Sequence, residues 1–150
     1  MPLLNVSHRQ QPQEAECLAA CAAMVLDYLQ VPFRYERLLA LLRVQFIGAR
    51  FSNLQQLESL SVSVLVERGE IETLRLYIDQ GLPPIVLVAT GQLSYWNENT
   101  GHAVVVVGLE ENLVHIYDPA FSDAPKKISV DEFMLAWIDA DRFYAILKLE

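Results

Sequence analysis

A cysteine, a histidine and an aspartate could form a thiol-based catalytic site in this chain. Cys17 falls in the first turn of a predicted helix, where unpaired backbone amides and the positive end of the helix dipole favour a thiolate. His102 opens a predicted strand, and Asp118 directly follows the next one. A thiol nucleophile needs a base, and the base needs an orienting group, so these three residue types suit attack on a carbonyl carbon.

Hairpin geometry predicts that His102 and Asp118 lie side by side. The predicted strands His102–Leu109 and Leu113–Tyr117 flank a turn at residues 110–112. Pairing outward from this turn places His102 opposite about Asp118, and directly opposed residues have Cβ atoms about 5 Å apart. The histidine could therefore act as the base and the aspartate could orient it.

The other thiol and the other imidazoles have simpler interpretations. Cys21 lies one turn further along the helix, among alanines, and is expected to be a small buried apolar residue. His8 lies in a polar N-terminal stretch and is expected to be solvated, and His115 is expected to have only aliphatic strand neighbours. Packing also remains the ordinary explanation of Cys17 itself, and a turn that of Asp118.

The elements that must position these residues follow from periodicity and from cap and turn signals. Helices come first and strands dominate later, which predicts an α+β fold with an N-terminal helical layer packed on an antiparallel sheet. Without repeats or linkers, residues 1–150 are expected to form one domain. The helix that carries Cys17 is predicted at Glu16–Leu29, and the other predicted helices are Tyr35–Val44, a short one from the cap Ser52-Asn53 to about Leu60, Glu70–Gln80 and Ser129–Trp137. Gly81 is expected to close the fourth helix, and Ser129 with Glu132 is expected to form a capping box on the last. The remaining predicted strands are Ser61–Val66, Ile85–Ala89 and Arg142–Leu149.

Composition excludes several classes of function. The chain has 150 residues, a formal net charge of −8 and a hydrophobic fraction of 53%. The charge disfavours nucleic acid as a partner, and the absence of a long apolar run or a secretory signal predicts no membrane span and a cytoplasmic location. Two cysteines one helical turn apart are a poor disulfide framework, and without paired-ligand spacing a zinc site is not expected. No cofactor is expected either.

Three segments resemble a known family. They are Gln11-Pro-Gln-Glu-Ala-Glu16-Cys17 with the small-residue helix that runs to Met24, the strand His102–Gly108, and the run Tyr117-Asp118-Pro119-Ala120-Phe121. Together they resemble the bacteriocin-processing peptidases that remove double-glycine leader peptides. These are papain-like cysteine peptidase domains, found in peptide-exporting ABC transporters.

The resemblance implies roles that composition alone does not. It makes Cys17 the nucleophile, His102 the base and Asp118 the orienting group, and it implies that the Gln11 amide joins the Cys17 backbone N–H in an oxyanion hole. It also implies a peptide or protein substrate and an ABC transporter or export system as partner, with this chain either free-standing or one part of a transporter. One departure stands out, since Leu18 occupies a position where the family usually has glycine.

The expected function is therefore hydrolysis of a peptide bond, with leader removal after a small-residue site as the specific form. Tyr95 and Trp96, in the loop before His102, are expected to line a substrate cleft. Three alternatives stay open. They are a papain-like acyltransferase that uses the same residues, a non-catalytic peptide-binding module, and a structural or regulatory domain with an incidental thiol.

Overall fold

A six-stranded antiparallel sheet forms the centre of the computed structural model, which describes residues 3–123 and 125–150. The strand order is β1-β6-β2-β3-β4-β5, so the last strand along the chain inserts between the first two. The strands are β1 (Val62–Arg68), β2 (Ile85–Ala89), β3 (Gly101–Leu109), β4 (Leu113–Tyr117), β5 (Lys126–Ser129) and β6 (Phe143–Leu149).

Helices cover both faces of this sheet. They are α1 (Cys17–Tyr28), α2 (Tyr35–Leu41), α3 (Ile71–Asp79) and α4 (Val130–Ile138), with short 3-10 helices at Glu14–Glu16, Phe51–Leu60 and Thr90–Gln92. The predicted α+β class is confirmed, and the N-terminal helical layer packs on the sheet as expected. Within the two described ranges, no helix is long and apolar enough to cross a membrane.

Strand β3 is apolar along its whole length because both of its faces are buried. Ala103, Val105 and Val107 belong to the core under α1, α2 and the long 3-10 helix. Val104 and Val106 belong to the opposite core, under α3 and α4. The continuous valine run therefore reflects a strand between two helical layers rather than a strand with one face in water.

Helix α1 approaches β3 closely because its residues are small. Its segment from Leu18 to Leu26 is almost wholly buried, with four alanines and Cys21 among the residues that have no exposed surface. Small side chains allow the helix backbone to lie near the strand, and this places the first residue of α1, Cys17, close to the start of β3. The alanine-rich sequence thus determines how near the thiol comes to His102.

Three predicted helices differ from the structure in detail. Helix α2 stops at Leu41 because Arg43 takes a left-handed conformation, with φ of 54°. The segment Phe51–Leu60 is a 3-10 helix, and Asn53 does not cap it but donates to the Leu42 carbonyl at 2.8 Å. At α4, Ser129 accepts from the Glu132 amide as predicted, yet the Glu132 side chain is bound elsewhere, so no capping box closes.

The end of helix α3 and the unpredicted strand β5 are each explained by particular residues. Gly81, with φ of 79°, ends α3 as its sequence position predicts, since glycine adopts this conformation without strain. Strand β5 was not predicted because Lys126-Lys127 gives it a polar, charged beginning. Charged residues of this kind are common in edge strands, where they discourage pairing with another chain.

Candidate active site

The thiol of Cys17 lies at the start of α1, directly after the 3-10 turn Glu14–Glu16. Burial raises its pKa, but the hydrogen bond and charge of His102 oppose burial, as do the backbone donors of Ala103 and Leu18, and the net pKa is below the ordinary thiol value. Cys21 shows the contrast, because burial raises its pKa with no compensating donor. Of the two thiols, only Cys17 has the surroundings of a nucleophile.

His102 and Asp118 are in direct contact and almost completely buried. Nε2 of His102 lies 2.6 Å from Oδ1 of Asp118, and the exposed fractions of the two side chains are 4% and 0%. Because Nε2 faces the carboxylate, the other ring nitrogen is the one available to the Cys17 thiol, and the ring and the thiol are near enough for each to shift the pKa of the other. The structure therefore brings Cys17, His102 and Asp118 together in one connected series.

The contact forms by a different route from the predicted strand pairing. The ladder between β3 and β4 ends with Val105 paired to Tyr117, and Asp118 already belongs to the turn that follows β4. His102 and Asp118 are thus not directly opposed. The carboxylate reaches the imidazole across the open end of the hairpin, where the chain has left the ladder.

Charge coupling stabilises the imidazolium form of His102. Burial lowers the pKa of His102, but the hydrogen bonds to Asp118 and Cys17 outweigh it and raise the pKa to about 9. Burial likewise raises the pKa of Asp118, and the His102, Trp96 and Ala120 donors reverse this and hold it below the ordinary carboxyl value. These surroundings favour a thiolate at Cys17, an imidazolium at His102 and a carboxylate at Asp118.

Gln11 lies at the same cleft as Cys17, tied to the turn after β4 by a hydrogen bond from its backbone N–H to the Pro119 carbonyl at 2.8 Å. Its side-chain Nε2 donates to the carbonyls of Gln13 and Glu14, at 3.0 and 2.9 Å. Its Oε1 is buried without a hydrogen-bond partner among the described residues. The amide is therefore near the nucleophile, but both of its N–H groups are engaged by the chain.

Tyr95 and Trp96 lie beside the series formed by Cys17, His102 and Asp118, and both contact Asp118 directly. The Tyr95 hydroxyl and the Trp96 indole N–H both donate to Oδ2 of Asp118, at 2.8 and 3.0 Å. The Trp96 ring also packs against the ring of His102, with 4.8 Å between centroids. Both residues line the cleft, but their polar atoms are turned to Asp118.

An open cleft of about 840 Å³ gives access to the thiol. At one rim, Phe46 and Ile47 are 97% and 90% exposed at the tip of a turn closed by paired hydrogen bonds between Gln45 and Gly48. Sequence reasoning missed this turn, although two large apolar residues directly before a glycine were a visible signal. Other residues around the cleft include Gln11, Cys17, Leu18, Tyr95, Trp96 and His102.

The two remaining histidines differ from their predicted surroundings. His8 is not simply solvated, because its Nε2 lies 2.9 Å from the Asp118 carbonyl and its ring packs edge-on against Tyr117. His115 has a charged neighbour rather than only aliphatic ones, since its Nε2 contacts the Glu110 carboxylate. A bulge in β3 also pairs His115 with Gly108 instead of with the valines before it.

The geometry suits acyl chemistry through a thiolate. No cluster of three or more histidine, cysteine, aspartate or glutamate side chains suited to a metal occurs in residues 3–123 and 125–150. A thiolate beside an imidazolium can attack a carbonyl carbon, and the same imidazolium can then protonate the departing group. Cys17 and His102 both line the open cleft, so a carbonyl group that enters it meets the thiol and the imidazole together.

Comparison with known proteins shows the class and the family. A double-glycine-motif protease from an AMS/PCAT transporter, crystallised with a leader peptide, is 26% identical with a TM-score of 0.76, covering 99% of this chain and 94% of that one. A C39-like peptidase from Bacillus anthracis (18% identity, TM-score 0.79, coverage 100% and 98%) and the peptidase domain of the Streptococcus ComA transporter (20%, 0.79, 97% and 100%) share the fold. No curated protein sequence matches the chain.

The fold and these relatives define a papain-like cysteine peptidase. The model of the Peptidase C39 family matches residues 5–140, so the chain belongs to that family. The predicted family, fold class and enzyme class are therefore confirmed.

Proposed function

We propose that this peptidase removes leader peptides by cleaving after a small-residue, double-glycine-type site, with Cys17 as the nucleophile. The observation that carries the proposal is the connected series from the Cys17 thiol through His102 to the buried Asp118, at the wall of an open cleft. The 26% identical relative crystallised with a leader peptide supports the substrate class.

The reaction proceeds in two halves. The Cys17 thiolate attacks the peptide carbonyl carbon, and the oxyanion collapses to a thioester as His102 gives its proton to the leaving amine. Neutral His102 then takes a proton from water, whose oxygen attacks the thioester, and the thiolate and imidazolium return as the acid product leaves. Asp118 keeps the imidazole oriented in both halves.

Gln11 and the backbone N–H of Cys17 stabilise the oxyanion in this mechanism. Support comes from the place of Gln11 at the cleft, fixed by its bond to Pro119. Its Nε2 is bound to the Gln13 and Glu14 carbonyls, so it gives up one of these bonds when the oxyanion forms. The rings of Tyr95 and Trp96 form part of the cleft wall against which the peptide lies.

Leu18 favours small residues at the scissile bond. It directly follows the nucleophile, lines the cleft and is only 3% exposed, so its position is set by the core behind it. A leucine next to the thiol leaves less space than a glycine does. Substrates with glycine or alanine beside the scissile bond are therefore preferred.

We also propose that residues 1–150 act as one peptidase unit in the cytoplasm, in association with a peptide-export ABC transporter. The pairing of β1 with β6 joins the early and late parts of the chain in one sheet, which supports a single unit. Both thiols are free, which suits a reducing compartment. The transporter origin of the leader-bound relative supports the partner.

The test is cleavage of a synthetic precursor with a double-glycine site, followed by mass spectrometry. Wild type is expected to release the two fragments, Cys17→Ala to release none, and the matched variant Cys21→Ala to retain turnover. An added primary amine distinguishes hydrolysis from acyl transfer, since a transferase would yield the amide of the leader. Retained cleavage by Cys17→Ala, or peptide binding without turnover in wild type, would contradict the proposal.

A further inference from the structure

Asp118 makes more hydrogen bonds than its contact with His102 requires. Oδ1 accepts from His102 Nε2 at 2.6 Å and from the Ala120 backbone N–H at 2.9 Å. Oδ2 accepts from the Tyr95 hydroxyl at 2.8 Å and from the Trp96 indole N–H at 3.0 Å. The two oxygens therefore have separate partners, one set facing the base and the other set facing two aromatic side chains.

This division fixes the plane of the carboxylate. A carboxylate held only through Oδ1 can rotate about its Cβ–Cγ bond, which swings the plane away from the imidazole N–H. Two donors on Oδ2 stop that rotation, because turning the group would leave both of them and a buried oxygen without partners. We propose that Tyr95 and Trp96 are positioning residues, which hold Asp118 Oδ2 so that Oδ1 stays aimed at His102.

The two aromatic side chains are themselves held in place. Their rings pack edge-on against Phe121, at centroid distances of 5.3 Å for Tyr95 and 5.5 Å for Trp96. The preceding residue, Ser94, donates from its backbone N–H and its hydroxyl to the Glu132 carboxylate, at 2.8 and 2.9 Å. The loop before β3 is thus tied to the first turn of α4, which keeps both donors at a constant distance from Asp118.

Other charged groups around the carboxylate do not replace these donors. Lys126 lies over the Tyr95 and Phe121 rings and pairs with Asp123. His8 contacts the backbone carbonyl of Asp118 rather than its side chain. Among the described residues, Tyr95 and Trp96 supply every hydrogen bond to Oδ2.

A positioning role for Tyr95 and Trp96 leaves no polar atom of either side chain free to bind a peptide. The polar atoms of Tyr95 and Trp96 are already bound to Asp118, so a peptide can meet only their rings. The inference rests on the proposed function, because it concerns the pair that activates Cys17. Its test uses Cys17 reactivity and therefore needs no cleavable substrate.

The experiment measures the pH midpoint for iodoacetamide alkylation of Cys17, resolved from Cys21 by mass spectrometry, in wild type and in Tyr95→Phe. Phenylalanine keeps the ring contact with Phe121 and removes only the hydroxyl. If the Asp118 carboxylate rotates away from His102, the imidazolium loses stabilisation and the pH midpoint for Cys17 alkylation rises by about one pH unit. Trp96→Phe is expected to raise it too, and the double variant more than either single one.

Tyr28→Phe is the matched control, because it removes a tyrosine hydrogen bond of 2.6 Å to the Gly81 carbonyl, away from the cleft. It is expected to leave the midpoint unchanged, and thermal unfolding reports the stability of each variant. A lower alkylation midpoint in Tyr95→Phe would mean that the hydroxyl only withdraws charge from the carboxylate. An unchanged midpoint would mean that the hydroxyl neither positions the carboxylate nor withdraws charge from it. Either result overturns the inference.

Failure of the proposed function gives a different signature. In that case wild-type Cys17 itself labels like a free thiol, with a midpoint near pH 8.5. If wild type labels well below that value and Tyr95→Phe has the same midpoint, the function survives and the positioning role is rejected.

Discussion

His102 Nε2 lies 2.6 Å from Asp118 Oδ1, although the ladder between their strands ends at the pair Val105 and Tyr117. The contact therefore depends on the turn that begins at Asp118 and not on strand register. In that turn the Ala120 backbone N–H donates to the same Oδ1 at 2.9 Å. A main-chain donor, two aromatic side chains and the imidazole surround a carboxylate with no exposed surface.

The pH dependence of turnover is expected to follow the thiolate–imidazolium pair. Because the pKa of Cys17 is lowered and that of His102 is raised to about 9, the active form is the thiolate–imidazolium pair that exists between these two pKa values. It is lost below the Cys17 pKa, as the thiolate gains a proton, and above about pH 9, as His102 loses one. Measuring kcat/KM across pH checks both limbs.

Asp118→Asn is expected to shift both limbs of this pH profile. Asp118 and Cys17 together raise the His102 pKa, and removing the Asp118 charge takes away the larger contribution. The alkaline limb is therefore expected to move to lower pH, and the acid limb to higher pH because the thiolate loses part of its cationic partner. The maximal rate falls by about 100-fold or more. An unchanged alkaline limb would show that Asp118 does not set the imidazolium.

Gln11→Ala is expected to lower kcat by about 100-fold while changing KM little, because an oxyanion donor acts on the transition state. Gln10→Ala is the matched control, since Gln10 is exposed and its side chain makes no hydrogen bond among the described residues. Steady-state kinetics on the synthetic precursor separate kcat from KM. A rise in KM with normal kcat would instead make Gln11 a substrate-binding residue.

Leu18→Ala is expected to relax the preference for small residues at the scissile bond. The ratio of kcat/KM for substrates with a large residue to those with glycine should rise by about tenfold. Stability should fall by about 2–5 kcal/mol, since Leu18 is part of the core. Leu57→Ala, in the same core with no exposed surface, should cost similar stability and leave the ratio unaltered. Equal ratios in both variants would remove Leu18 as a determinant of specificity.

Phe46→Ser should weaken substrate binding without weakening the fold. The side chain is 97% exposed, so stability should change by no more than about 0.5 kcal/mol. A peptide that covers this ring loses apolar contact in the variant, which raises KM by about tenfold. Leu135→Ser, at a 58% exposed position on α4, is the control expected to leave KM unchanged. Equal KM values for wild type and Phe46→Ser would show that substrate does not reach this turn.

Much of the fold was predictable because local patterns and tertiary packing agree. Strands β2 and β4 have the predicted bounds, and α1 differs from its prediction by one residue at each end. Their apolar periodicity reflects burial in the same cores that the structure shows. Strand β5 was missed because a short edge strand with two lysines lacks that periodicity.

The candidate site also has features that the sequence predicts and features that only tertiary packing creates. The residue types of Cys17, His102 and Asp118, and their places at the start of a helix and at strand ends, were visible in the sequence because helix caps and hairpins are local features. The partners of Asp118 Oδ2 and the contacts of His8 were not, since they join segments distant along the chain. Such contacts arise only when a turn, a loop and the N-terminal stretch pack together, and no periodicity within one segment encodes which donor reaches which oxygen. The sequence alone therefore determined which side chains could take part in the chemistry, and tertiary packing decided how those side chains are oriented relative to one another.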